Sequence, residues 1–299
     1  MTGFSQSTVD ELRSAGLPPD EVLRIVAMSL DEDLGPDRLD VTSEATIPAD
    51  QHDTADLVAR GGGIVAGLGV AAAVFDLASG GSVAFRRGVD DGVRVERGDV
   101  LATVAGPTRA LLSAERTALN LISRMSGVAT HTRAWADILD GTGTQVLDTR
   151  KTTPGLRVLD KYAVRAGGGV NKRMGLYDVA MVKDNHARAA GGVVAAYRRV
   201  RTAFPNVPVQ VEVTTEGEAV AAVEAGAEFL LCDNMTPALL RRVVLAVNGR
   251  AELEATGGLT LDAAAEYAAT GVNYLSVGGL THSSPILDIA LDLRPREQR

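Results

Sequence analysis

The chain has 299 residues, 45% hydrophobic and 4% aromatic, with a formal charge of -8. That length and composition suit one large α/β domain or a barrel with a smaller partner, and they exclude global disorder. The single cysteine, Cys232, excludes an intramolecular disulfide framework and a cysteine-based metal cluster, and the acidic balance excludes a general nucleic-acid binder.

The N-terminus, MTGFSQSTVDEL, lacks the basic start and hydrophobic centre of a signal peptide. No apolar run along the chain reaches the length of a membrane span, so the expectation is a soluble cytoplasmic protein without a membrane partner. Two short helical patterns come first, with Thr8 and Glu11 at capping-box spacing. Strand-like runs follow in ADLVARGGGIVAG, SVAFRRGV and DGVRVERGDVLATVAG, broken by glycine and Asp-Gly turns. The alternation in GVRVERGDVLATV predicts a half-exposed antiparallel strand pair, and the whole stretch reads as a small α+β domain.

From Pro107 to about Asp140 the spacing predicts one long helix. Leu112, Leu119, Ile122, Val128, Trp135 and Ile138 supply much of its apolar surface, while Arg116, Asn120, Ser123, Gly127 and Thr130 form a polar or small stripe. The stripe is either a solvated face or a face turned toward a pocket or a partner subunit. After Thr144, short apolar strands alternate with helices: QVLDTR, VAMVKD, VPVQVEV, AEFLLCD, AELEAT and YLSVGG. Thr215 with Glu218, Thr236 before Pro237, and Thr260 mark helix starts. Six strands are few for an eight-fold barrel, so an incomplete β/α barrel is expected. The closing RPREQR reads as a solvated tail.

Chemistry in such barrels sits at the C-terminal strand ends. Those ends carry Arg150-Lys151, Lys183-Asp184, Glu212, Asp233, Thr256-Gly257-Gly258 and Gly278-Gly279. The stretch from Val146 to His186 concentrates Arg150, Lys151, Arg157, Lys161, Arg165, Lys172, Arg173 and Lys183. On an acidic protein, this cluster suits a small, multiply charged anion, since arginine grips carboxylate or phosphate with paired hydrogen bonds. Glu212 and Asp233 are either a shared Mg²⁺ site or partners of those cations. The glycine pairs suit backbone contacts to phosphate, or ordinary tight turns. Lys183 is either an anion binder or a Schiff-base lysine. His186 and His282 lie near strand ends and suit phosphate contact or acid–base work, or plain structural roles. Cys232 reads as a small core residue.

With these residues in place, the chain resembles the quinolinate phosphoribosyltransferase family of type II phosphoribosyltransferases. The resemblance rests on EDLGPDRLDVTSEATIP, ERTALNLISRMSG, DTRKTTPGLRVLDKYAVRAGGG, VKDNH, LLCDNM, ATGGLT and VGGLTHSSPILDIALDL. It implies an α/β protein with an N-terminal α+β open-sandwich domain, residues 1–118, joined by the C-terminal segment 283–299. An incomplete β/α barrel, residues 119–282, would carry catalysis. The implied reaction joins quinolinate to phosphoribosyl pyrophosphate, giving nicotinate mononucleotide, pyrophosphate and CO₂, in de novo NAD biosynthesis.

By the same resemblance, Thr149, Arg150, Lys172, Arg173 and Lys183 bind quinolinate, and Arg116 reaches the neighbouring subunit's pocket in a homodimer. Lys151, Glu212 and Asp233 would be catalytic, with Glu212 and Asp233 on Mg²⁺. Lys151, Thr256, Gly257, Gly258, Gly278, Gly279 and His282 would take the phosphate groups. Two departures stand out: Lys172 where the family often has histidine, and Gln210 where many relatives have a further glutamate. The first makes a positive charge permanent; the second removes a carboxylate near the metal site.

Overall fold

The computed structural model describes residues 3–296, which form two compact units. One takes the chain up to His131, Thr153–Gly168 and the stretch from Ser283; the other takes Thr132–Thr152 and Gly169–His282. The first unit holds helices α1 (Gln6–Ser14), α2 (Pro19–Leu34), α3 (Val41–Thr46) and α4 (Leu68–Ser79). Most of α5 (Thr108–Leu139) and all of α6 (Arg157–Ala166) also belong to it. Strands β1 (His52–Ala59), β3 (Ala84–Arg87), β5 (Val100–Pro107) and β12 (Ile289–Leu293) form an antiparallel sheet in the order β12-β1-β5-β3. A second, two-stranded ladder joins β2 (Gly63–Ile64) to β4 (Arg94–Val95).

Several local expectations change here. Ser5, not Thr8, caps α1: its hydroxyl accepts the Thr8 N–H, and Thr8 is buried in the first turn. The cap thus lies three residues earlier than the Thr8–Glu11 spacing suggested, and Glu11 pairs with Arg87 instead. β4 and β5 do not pair with each other. The turn Glu96–Asp99, closed by two N–H bonds within it, delivers them to different ladders. Alternation reports one buried face, not which strand is the partner.

Helix α4, apolar nearly all round, is buried along almost its whole length, as such a pattern requires. Its amino end is capped from a distance by Asp91, which accepts the N–H groups of Gly67 and Leu68 and the Tyr162 hydroxyl. The stripe on α5 divides. Arg116 and Asn120 are exposed, whereas Ser123 and Gly127 are covered by the C-terminal return. Leu287 N–H donates to Ser123 O, and the Gly127 backbone lies so near Pro285 that a Cβ would sit 2.0 Å from its carbonyl oxygen. Of the RPREQR tail, Arg294 and Arg296 are not merely solvated: they pair with Asp56 and Asp53 on β1. The tail's last three residues lie outside the described ones, as do the first two of MTGFSQSTVDEL.

The second unit contains all six predicted strands: β6 (Gln145–Leu147), β7 (Ala180–Val182), β8 (Val209–Val213), β9 (Phe229–Asp233), β10 (Glu252–Thr256) and β11 (Tyr274–Ser276). They form one parallel sheet in the order β6-β11-β10-β9-β8-β7. This is the order of a ring opened between its first and second strands. The expected incomplete barrel has that form. Val170 forms a bridge to Leu147, so the chain just before Lys172 runs beside β6 along the open seam.

Helices α7 (Asp184–Ala190), α8 (Val193–Ala203), α9 (Glu216–Glu224), α10 (Pro237–Val247), α11 (Ala264–Ala268) and α12 (Gly279–His282) follow the strands from β7 onward. Thr215 and Thr236 cap α9 and α10 as expected, each hydroxyl accepting an N–H from the first turn. Thr260 instead opens a 3₁₀ turn, Leu261–Ala263, before α11. Val211, Val213, Leu230, Cys232, Leu253, Ala255 and Leu275 form the buried outer face of the sheet. Each fully buried valine or leucine contributes about 1.5–3 kcal/mol.

Candidate active site

Parallel strands point their carbonyl ends, and the loops that follow them, to one edge. The predicted catalytic and binding residues other than Arg116 lie in the second unit, most of them on or just beyond strand ends, with Lys172 and Arg173 on the loop before β7. Of the wider cation stretch, Arg157, Lys161 and Arg165 fall instead on α6, in the first unit. After β6, the Asp148 carboxylate is fully buried and accepts from the Asn171 side-chain amide at 2.8 Å and the Lys172 N–H at 2.7 Å. This carboxylate ties the loop bearing Lys172 and Arg173 to the strand end bearing Thr149 and Arg150. The Thr149 hydroxyl accepts the Lys151 N–H, turning the chain there.

The cations converge. Arg173 donates to Val179 O at 3.1 Å, and its pKa is lowered first by burial and next by the charge of Arg150. Lys183 lies 3.4 Å from Glu212, whose other oxygen accepts the Asp184 N–H. Lys183 is half exposed beside this carboxylate, which is the setting of an anion-binding ammonium and not of the desolvated lysine that Schiff-base chemistry needs. Lys172 points inward and pairs with Glu254, which is fully buried.

Glu212 and Asp233 occupy one face of the sheet: Glu212 is in register with Leu231, and Asp233 lies two residues further on. Asp233 accepts from the Asn234 side chain at 2.7 Å. Among the described residues no group of three or more His, Cys, Asp and Glu side chains forms a metal cage. Two carboxylates on one face do match the hard oxygen donors of a phosphate-bridged Mg²⁺, which keeps several waters and few protein ligands. Gln210, two residues below Glu212, is buried, and its side-chain carbonyl oxygen accepts no hydrogen bond from the described residues. A cavity of about 330 Å³ beside Glu212 is lined by Asp184, Arg188, Thr214 and Glu218.

On the other side of the ring, the Gly278 backbone approaches Lys151 and His282; a Cβ there would lie 2.9 Å from the Lys151 side chain and 3.2 Å from His282 Nε2. The Thr281 hydroxyl donates to Lys151 O at 2.9 Å. Lys151, Gly278, Gly279 and His282 therefore form one corner. Gly257, at φ +99°, packs against Asn234 so closely that a Cβ would sit 2.2 Å from its side-chain oxygen. It joins the ends of β9 and β10, with Thr256 in register with Asp233.

His186 has a capping role: its Nδ1 accepts the Lys183 N–H, closing the first turn of α7. Cys232 is a buried core residue, its thiol pushed up to about 12 by burial first and by Glu254 second. Sequence reasoning passed over Asp148, Glu254 and Ser276. The alternation Glu252-Leu253-Glu254-Ala255-Thr256 does place Glu254 on the same face as Thr256, which was the available signal.

Known proteins match along the chain. The model of the quinolinate phosphoribosyl transferase N-terminal domain matches residues 40–126, and that of the C-terminal domain matches residues 128–292. A curated nicotinate-nucleotide pyrophosphorylase [carboxylating] from Mycobacterium leprae is 49% identical over 85% of this chain and 91% of its own. A probable enzyme of the same name from Bacillus subtilis is 43% identical over 88% of this chain and 90% of its own. The solved nicotinate-nucleotide pyrophosphorylase of Francisella tularensis superposes with a TM-score of 0.88 at 34% identity, covering 93% of this chain and 98% of its own. With both domain models matched in order and relatives this similar over nearly full length, the chain belongs to the quinolinate phosphoribosyltransferase family.

Proposed function

We infer that the chain transfers the phosphoribosyl group of phosphoribosyl pyrophosphate to quinolinate and removes one carboxylate, in de novo NAD biosynthesis in the cytoplasm. The observation that carries this reading is the gathering of Arg150 and Lys183, just beyond the ends of β6 and β7, with Arg173 on the seam loop of the same unit, beside Glu212. The relatives' names agree with it. Arg150, Arg173 and Lys183, with Thr149 and Lys172, hold the two pyridine carboxylates. The corner of Lys151, Gly278, Gly279 and His282, with Thr256, Gly257 and Gly258, receives phosphate oxygens.

Glu212 and Asp233 would hold Mg²⁺, whose contribution when bound is to neutralise charge on the diphosphate. The same carboxylates stabilise positive charge growing on the ribose as the bond from C1′ to pyrophosphate breaks. Pyrophosphate departs with the electron pair, and Lys151 balances its charge. The pyridine nitrogen then forms the new bond to C1′. The quaternised ring accepts the electron pair released as the 2-carboxylate leaves as CO₂, and the ring carbon takes a proton from solvent. Arg173 and Lys183 keep the remaining carboxylate in place. Holding two anions in attack geometry supplies much of the acceleration.

Arg116 is exposed on α5 in the first unit, a position that supports a homodimer in which it serves the neighbouring subunit's site. The test of the activity is incubation with quinolinate, phosphoribosyl pyrophosphate and Mg²⁺. Nicotinate mononucleotide, pyrophosphate and CO₂ are expected in equal amounts, with little product when nicotinate replaces quinolinate. No product from quinolinate, or a preference for nicotinate, overturns the reading.

A further inference from the structure

Inside the second unit lies an ion pair that the strand-end ring does not account for. Lys172 Nζ and the Ser276 hydroxyl both donate to the same oxygen of Glu254. Glu254 is fully buried, and the Lys172 side chain is only 7% exposed. Glu254 sits one inward-facing position below Thr256, about 7 Å deeper along β10. At its other end, Lys172 is fixed by its backbone N–H to Asp148. The lysine side chain is therefore held at both ends, between the open seam and β10.

A buried ion pair adds little to stability, and apolar residues of similar volume often do as well. Its surroundings suggest another use. Lys172 faces Arg173 on its own loop and Lys183 at the end of β7, and both disfavour its charge. Burial disfavours it more strongly still, and Glu254 is the group opposing all three. Burial in turn raises the Glu254 carboxyl, with Lys172, Ser276 and Lys183 holding it down. Cys232 on β9 and Tyr274 on β11 also feel the Glu254 charge, and neither supplies a cation.

We propose that Glu254 is a positioning residue for the dicarboxylate site: acting through Lys172, and itself held by Ser276, it keeps a fixed ammonium beside Arg173 and Lys183 to receive a substrate carboxylate. This role rests on the quinolinate reading above.

The sign of the pH effect follows. Without the Glu254 charge, Lys172 keeps its burial and its two cationic neighbours, so its pKa falls. Its charge is then lost at a lower pH than in the wild type. In the Glu254→Gln variant, the KM for quinolinate should rise at least about tenfold at pH 8 and recover toward the wild-type value at pH 6. The KM for phosphoribosyl pyrophosphate should change by less than about threefold. Wild type should show no such slope, and neither should Glu254→Asp, which shortens the side chain but keeps its charge. Lys172→Met should raise the quinolinate KM at every pH, and adding Glu254→Gln to it should cost nothing further.

A quinolinate KM unchanged in Glu254→Gln at all pH values overturns the proposal. So does an equal rise in both KM values, or a loss that adds fully to that of Lys172→Met. If Glu254→Gln does not fold, Glu254→Asp decides: its displaced ammonium should still raise the quinolinate KM selectively, and an unchanged KM overturns the role. A wild-type protein that makes no product from quinolinate sinks the activity instead. Calorimetric titration with benzene-1,2-dicarboxylate then reads the same pH-dependent loss of binding in Glu254→Gln, and its absence ends the positioning role separately.

Discussion

Arg150 and Arg173 show how a single residue's setting decides its work. They come from a strand end and from the seam loop, joined by the buried Asp148 carboxylate. Like charges repel, and Arg150 contributes to lowering the Arg173 pKa, after burial. In the proposed site, a dianion held between them would turn this repulsion into attraction on both sides. Removing one guanidinium forfeits charged hydrogen bonds of about 1.5–3 kcal/mol each. Arg150→Ala should therefore lower kcat/KM for quinolinate by about a hundredfold or more, since each 1.4 kcal/mol is tenfold. Arg150→Lys should recover only part, because lysine cannot make the paired contact. Steady-state kinetics with unaltered circular dichroism checks both, and wild-type kinetics in Arg150→Ala would remove this residue from the site. At this scale the strand-end residues were legible, because a charge or glycine that ends an apolar run stands out. Glu254 was not, because one carboxylate inside an alternating run looks the same whether it faces solvent or the interior. For His186 the sequence left a ligand role and a structural role open, because proximity to a strand end does not say that its ring turns back to accept the Lys183 N–H.

At the scale of elements, periodicity succeeded wherever one face alone decided it. Helix α5 runs Thr108–Leu139 against an expected Pro107 to Asp140, and all six barrel strands fall inside the predicted runs. Partners were less legible. β4 and β5 lie next to each other in sequence yet join different ladders, and the neighbours of β1 are β5 and β12, the latter from the far end of the chain. Pairing across such a distance leaves no local trace. Helix α4 was missed as an element because an Ala- and Val-rich run, apolar on every side, has no period to read. The stripe on α5 had both of its readings realised, with Arg116 exposed and Gly127 packed on the C-terminal return. Gly127 tests that packing. A methyl group placed 2.0 Å from the Pro285 carbonyl oxygen cannot be accommodated without moving the 285–287 segment. Alanine ordinarily favours a helix over glycine by about 1 kcal/mol. Here the sign should reverse, with Gly127→Ala destabilising by about 1–3 kcal/mol as overpacking does. Chemical denaturation measures this; a stabilised variant would mean that the return segment is not seated on α5.

For the whole molecule, the proposed homodimer, in which Arg116 serves the neighbouring subunit's site, can be read by mixing experiments. Arg116 belongs to the first unit, and Lys151 and the remaining candidates belong to the second. In the proposed homodimer with shared sites, each site draws Arg116 from one subunit and Lys151 from the other. Arg116→Ala and Lys151→Ala homodimers should each be nearly inactive, because every site then lacks one cation. In a mixed dimer the lesions fall together: one site carries both and the other carries neither. Random mixing makes half the dimers mixed, so about a quarter of all sites should be intact by the two-fold symmetry of the assembly. Co-expression of the two variants with different tags, followed by purification of the mixed species, raises that fraction to about one half. Recovery near that level, with a wild-type KM for both substrates, supports the shared site. Were both residues to act within one chain, every site in the mixed dimer would keep one lesion, and activity would stay at the level of the parents.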